Sequence, residues 1–140
     1  MKRVEHNLVC CIYNANVLKE TRASGHTGYN EENEVTLHGN KIAGVSYSPI
    51  LNSNREWVHW NTYVEWINLC GYPTNLTMSR LRALSLPIYK KNGQIKIDIA
   101  GKTFDVLNNG VVPIGDLLRL VYTSPNQPGY GHYYTMLADY

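Results

Sequence analysis

The chain holds one Phe, three Cys and no apolar run near the roughly 18 residues that span a bilayer. Each shortage excludes something. The N-terminal apolar stretch from Leu8 to Tyr13 follows Met1-Lys2-Arg3-Val4-Glu5-His6 and is too short for a signal-peptide core with its cleavage site. No membrane partner is therefore expected, and a cytoplasmic protein is, in the host cytoplasm if the chain is viral. Cys10, Cys11 and Cys70 cannot all pair within one chain, and adjacent cysteines do not suit an ordinary bridge, so a reduced compartment is the simpler expectation. The net charge of +2 is too small to name a partner.

Several chemical signatures are also missing. No Gly-x-Gly-x-x-Gly, Walker loop or Gly-x-Ser-x-Gly occurs, which leaves nucleotide-cofactor and α/β-hydrolase chemistry without a foothold. There is no Cys-x-x-Cys, His-x-x-x-His or His-Glu-x-x-His, and His26, His38 and His59 each stand alone locally. No metal and no cofactor is expected. Glu31, Glu32 and Glu34 crowd one stretch with Asn and Gly, the composition of a solvated turn.

What is present is enough apolar material to fold: 44% of 140 residues are hydrophobic and only 17% charged. With no repeat and no linker, residues 1–140 are expected to form a single domain. Eleven of the aromatic residues are Tyr and three are Trp, so nearly all the aromatic surface carries a polar handle suited to interfaces and stacking.

Local patterns predict an α+β fold. The short, partly β-branched run 8–13 predicts a buried strand, and residues 24–33 a loop. Val35-Thr36-Leu37 and Ile42 to Tyr47 flank His38-Gly39-Asn40-Lys41, the pattern of a hairpin that Pro49 and Asn52-Ser53-Asn54 close. Thr62-Tyr63-Val64-Glu65 has the letters of a capping box, and Tyr63, Ile67 and Cys70 recur at helical spacing, which predicts a helix over 62–70 ended by Gly71 and Pro73. A second helix is predicted over 77–85, then a hairpin 88–99 turning at Asn92-Gly93, then a strand near 102–106. Pro113 to Tyr122 predicts a last helix, and the tail after Pro128 a Tyr-rich strand.

Positive charge concentrates in the middle of the chain. Residues 1–59 carry six Lys/Arg and six acids, residues 60–102 six and two, and residues 103–140 one and three. Arg80, Arg82, Lys90, Lys91 and Lys96 fall within 76–97, where there is no acid. Helix, turn, helix and hairpin over 62–99 resemble the order of elements in a winged helix-turn-helix, with a longer turn than usual. With that layout, the charge pattern leads to the expectation of nucleic-acid binding in which Arg80, Arg82, Lys90, Lys91 and Lys96 neutralise phosphates while Tyr89 or a Tyr of the tail stacks on an unpaired base.

A second resemblance covers five residues: Gly131-His132-Tyr133-Tyr134-Thr135 looks like the histidine box of papain-like and ubiquitin-specific cysteine peptidases. Those families place the nucleophile at a helix N-terminus, where the dipole lowers its pKa. Here Cys10 and Cys11 fall in the predicted strand and Cys70 near the end of the predicted helix, where the dipole acts the other way. No catalytic residue is therefore assigned. The expectation is a non-enzymatic accessory protein that binds nucleic acid, single-stranded above all, on a basic helix-hairpin face, and its small size suits a phage. The alternative is a protein-binding or homo-oligomeric assembly subunit with a Tyr-rich surface.

Overall fold

Glu5, Leu8, Val9 and Ile12 recur at spacings of three and four, and all four are buried. In the computed structural model, which describes residues 2–99, 101–115, 118–121 and 134–137, they form one side of helix α1, Arg3–Asn14. Glu5 reaches back to the first turn, its carboxylate accepting from the Lys2 N–H at 3.1 Å, and Ala15 ends the helix in the left-handed region with φ 53°. The strand predicted over 8–13 is thus a helix. The continuous apolar run concealed a 3.6-residue period that becomes visible only when Glu5 is counted with it.

Sheet A is antiparallel, ordered β1 (Thr27–Tyr29), β2 (Glu34–Leu37), β3 (Asn40–Leu51) and β4 (Trp57–Ile67). The first predicted hairpin is present as β2 and β3, joined at His38-Gly39. It does not close at Pro49, because β3 runs on to Leu51 and pairs with β4 from Ala43 to its end. Part of the predicted 24–33 loop supplies β1.

The helix predicted over 62–70 is instead the end of β4 and the turn after it. The register explains the false period. Gly44 pairs with Trp66 and Val45 with Val64, so Glu65 is an extra, bulged residue. Burial along the chain therefore falls at Thr62, Val64, Ile67 and Leu69, and the gap of three at the bulge imitates a helix. A run rich in Trp, Tyr, Val and Thr then obeys its strand preference once β3 is there to pair with. Cys70 follows in a left-handed turn, φ 56°.

Helix α2, Asn75–Ala83, starts two residues before its predicted position because Thr74, not a later residue, caps it: Thr74 Oγ1 accepts from Thr77 N at 3.2 Å. The fold's helical pair is accordingly α1 with α2, and residues 62–99 do not have the helix, turn, helix and hairpin order. Sheet B follows, ordered β5 (Ile88–Lys91), β6 (Gln94–Ile99) and β7 (Lys102–Asp105). Its first turn is the predicted Asn92-Gly93, with φ 53° and 79°. Past β7 the chain bridges Val112 to Ile67, and Gly115 N donates to the bulged Glu65 O at 2.8 Å. Held there against β4, it enters a strand, β8 (Leu118–Val121), where a helix was predicted. β8 pairs with β9 (Tyr134–Leu137), a strand in the predicted tail. The architecture is α+β.

One core unites these parts. Leu8 and Ile12 of α1, Val35, Val45 and Val64 of sheet A, Leu81 of α2, and Ile95, Ile97 and Ile99 of sheet B belong to one buried cluster. Tyr47 ties the end of α1 to the sheet, its hydroxyl donating to Ile12 O and lying 2.7 Å from that of Tyr29. Burial pushes the Tyr47 hydroxyl pKa up. No helix of the described residues is long and apolar enough to cross a membrane.

Candidate functional site

The six residues picked out by charge and stacking separate into three environments. Arg80 is in the interior, only 3% exposed. Its Nη1 donates to Glu5 Oε2 at 2.9 Å and its Nε to Thr27 Oγ1 at 2.7 Å, so one guanidinium joins α2, α1 and β1. It cannot also meet a phosphate, and the expectation that it binds nucleic acid is corrected. A buried charge needs a partner, and here the partner is 75 residues away in sequence, beyond the reach of any local pattern. Burial alone would raise the Glu5 carboxyl. Hydrogen bonds from Ser79 Oγ, Lys2 N and Arg80, with the charge of Arg80, outweigh it and hold the carboxyl below its ordinary value.

Tyr89 and Lys96 lie side by side on the outer face of sheet B, because Ile88, Ile95, Ile97 and Ile99 take the inner positions of the alternation. That outer face neutralises itself. Lys96 Nζ is 2.7 Å from Asp105 Oδ1 on β7, and Asp98 Oδ1 accepts from Tyr89 Oη at 2.9 Å and from Thr103 Oγ1 at 2.8 Å. The hydrogen bond that Lys96 donates to Asp105 is the main reason the Lys96 pKa is raised. The acids that offset the basic stretch lie just past it in sequence, and strand pairing brings them back beside it.

Arg82, Lys90 and Lys91 are exposed. Arg82 Nε donates to Ile88 O at 2.9 Å, which lays its side chain along β5, and Lys90 and Lys91 precede the Asn92-Gly93 turn. These three positions are what remains of the basic face.

Charge patterns pointed away from two apolar features. The first is a groove of about 570 Å³ between the His38-Gly39 turn, the Leu69–Tyr72 turn and the start of α2. Leu37, Ile42, Leu69 and Leu76 line it, with Cys70 in its wall and Tyr72, 60% exposed, at its rim. No Asp, Glu, Lys or Arg lines it. Cys70 Sγ is directed to Lys41 O at 3.4 Å, and burial pushes its thiol pKa up. The turn beside the groove is tied to the loop bearing Leu107 and Val111 by Gly71 N donating to Asn108 O at 2.7 Å.

The second feature is the far end of the β3–β4 hairpin. Leu51 and Trp57 are cross-strand partners, so their side chains share one face, and both are exposed, as is Val58. The intervening turn is ordered by one side chain: Asn52 Oδ1 accepts from Asn54 N at 2.9 Å and Glu56 N at 3.0 Å. Apolar residues on both sides of Asn52-Ser53-Asn54 were the available sequence signal.

The thiols gather no catalytic constellation among the described residues. Cys10 Sγ is 3.7 Å from His6 Nε2 on the same helix, Cys11 is raised by burial and by Cys10, and His132 lies outside the described residues. Among the described residues no three His, Cys, Asp or Glu side chains converge to hold a metal ion. The ring of His26 stacks on that of His38 at 4.9 Å between centroids. Comparisons with protein-family models, with curated proteins and with solved structures find no match to this chain.

Proposed function

We propose that this chain is a non-enzymatic protein-binding or assembly subunit that acts through exposed apolar surface. One observation carries the reading. Seven large apolar side chains are exposed among the described residues, and six of them fall in two places: Leu51, Trp57 and Val58 at the hairpin tip, and Tyr72, Leu107 and Val111 beside the groove. Scattered exposed apolar residues need no explanation, whereas clustered ones with aromatic members suit partner contact. In-cell photocrosslinking from a benzophenone side chain at position 57 or 72 tests it. Discrete protein adducts are expected; no protein adduct from either position, with the chain instead retained on nucleic acid, overturns it.

A second reading is nucleic-acid binding through Arg82, Lys90 and Lys91. It is favoured by the exposure of Lys90 and Lys91 beside a tight turn, with no ion pair to either among the described residues. Retention on single- and double-stranded DNA and RNA at about 50 and 200 mM salt checks it, because phosphate contacts weaken steeply over that range. Lys90→Glu with Lys91→Glu should abolish any retention. Retention unchanged in the double variant sinks this reading.

A further inference from the structure

Thr27 and Leu37 pair across β1 and β2, and both are buried against the core. Alternation leaves their neighbours His26 and His38 outside. Both histidines are exposed, both take the left-handed backbone with φ 55° and 51°, and the His38 N–H donates to His26 O at 2.9 Å. Their imidazoles stack, with ring centres 4.9 Å apart and planes 29° from parallel. We propose that His26 and His38 form a two-imidazole site for a divalent transition-metal ion of the zinc type on the outer face of sheet A, beside the carboxylate of Glu20. The site uses none of the exposed apolar residues and stands apart from the assembly reading.

Spacing is the first ground. With metal–nitrogen bonds of about 2.0–2.1 Å and an angle of about 90–110° between them, two cis imidazoles hold their ring centres roughly 4.5–5.2 Å apart. The observed 4.9 Å lies inside that window. An imidazole turns about its Cβ–Cγ bond, an axis that runs close to the ring centre, so rotation aims a nitrogen at the ion while both centres stay in place. Exposure leaves the rings room to turn. Strand pairing and the His38-to-His26 backbone bond already fix the two chain segments, so little ordering remains to oppose binding.

Charge is the second ground. Glu20 lies along the same face: its Oε2 accepts from Thr36 Oγ1 at 2.8 Å, and its Oε1 accepts at 2.8 Å from the N–H of Gly39, the residue after His38. Each oxygen keeps an acceptor position for the ion or for a water bound to it. Arg80, which bonds Thr27, is neutralised by Glu5, and Lys41, shortly past His38, is paired with Glu34 at 3.4 Å. Imidazole nitrogen selects zinc-type ions over magnesium and calcium, which favour all-oxygen sets. Two imidazoles meet here and no cluster of three metal-ligating residues forms among the described residues, so water completes the coordination. The ion would tie the start of β1 to the β2–β3 turn and keep exchangeable positions on the surface.

Zinc chloride titrated into the full chain tests the site, in a Cys10→Ser background that removes the neighbouring His6 and Cys10 as a rival ligand pair. NMR of the imidazole protons locates the ion, and calorimetry counts it. The His26 and His38 signals should move together and saturate at one ion per chain, with a dissociation constant of about 1–100 µM. Magnesium at the same concentrations should move neither. His26→Asn and His38→Asn, whose asparagine suits the left-handed backbone, should each weaken binding about tenfold or more with unchanged circular dichroism.

Imidazole signals that stay fixed up to about 1 mM zinc overturn the proposal without recourse to any variant. So does zinc bound while both signals stay fixed, which would assign the ion to Cys11 or Cys70. Movement of one signal alone, with affinity unchanged when the other histidine is replaced, reduces the pair to a single surface imidazole and is equally fatal.

Discussion

Two ion pairs in this molecule involve basic residues from the same acid-free stretch, and they have opposite consequences. Glu5 and Arg80 meet at 2.9 Å with side chains 5% and 4% exposed, whereas Lys96 and Asp105 meet at 2.7 Å with side chains 27% and 68% exposed. Distance alone would rank them as equals. In the interior each ion has lost its water, so removing one leaves the other stranded; on the outer face of sheet B, water replaces whichever partner is lost. The paired charge in this stretch therefore divides into a structural cation and a solvated, self-neutralised pair, and Arg82, Lys90 and Lys91 belong to neither.

The largest expected effect comes from breaking the buried pair on one side only. Arg80→Met should cost about 3–5 kcal/mol, since Glu5 keeps its buried carboxylate without the guanidinium. Glu5→Leu with Arg80→Met removes both charges and should recover much of that loss. Equilibrium urea unfolding of the single and double variants gives the comparison. A double variant no more stable than the single would mean that packing, and not the stranded charge, sets the cost.

Acid sharpens the same contrast. The folded-state carboxyl of Glu5 titrates below its unfolded value, so its contribution is fully present above the ordinary Glu range of about 4.3 and is lost as pH falls through the depressed folded value. Stability should decline over that interval in the parent and less steeply in Glu5→Gln. Parallel acid limbs in thermal melts would show that the pair does not govern acid sensitivity.

Two glycines make the comparison between sheets. A Cβ on Gly44 in sheet A would lie 2.0 Å from Trp66 Nε1, so the indole must move, and Gly44→Ala should cost roughly 1–3 kcal/mol as overpacking. Gly93 in the sheet B turn has nothing within 4 Å, and only its φ of 79° opposes a side chain. Gly93→Ala should therefore cost about 1–2 kcal/mol. A thermal melt in which Gly93→Ala proved the worse would place more strain in the turn than in the close approach of Gly44 to Trp66.

These contrasts also mark what the sequence could and could not reveal. Asn92-Gly93 and the alternation of Ile95, Ile97 and Ile99 made sheet B's first hairpin legible, because a turn and a two-residue period are local properties. The same holds for β2 and β3 about His38-Gly39. Residues 62–70 misled because a single bulged residue, Glu65, shifted the burial phase, and only the register with β3 reveals a bulge. Arg80 misled for a related reason: neither its burial nor its partner in α1 has any local trace. The groove draws Leu37, Ile42, Leu69 and Leu76 from different elements, so no stretch of sequence displays it.

The smallest effect belongs to the exposed pair, and it is the most telling for the basic face. Lys96 has its pKa raised, first by the hydrogen bond to Asp105, so its favourable interaction exists while it is charged and is lost only as pH rises through that elevated value. Near neutral pH the pair is intact, yet Asp105 remains well hydrated beside it. Lys96→Met should leave the melting temperature almost unchanged. Any small loss should shrink further in 0.5 M salt, where the screening length falls to only a few ångströms. The same variant bears on nucleic acid: a lysine already neutralised by Asp105 contributes little to a phosphate, so its removal should hardly alter retention, in contrast to Lys90→Glu with Lys91→Glu. Should Lys96→Met alone strip the chain of nucleic-acid binding, Asp105 must give the lysine up to phosphate. The outer face of sheet B would then be a binding surface held in reserve by its own carboxylates, and its charge balance would no longer argue for apolar contact as the mode of action.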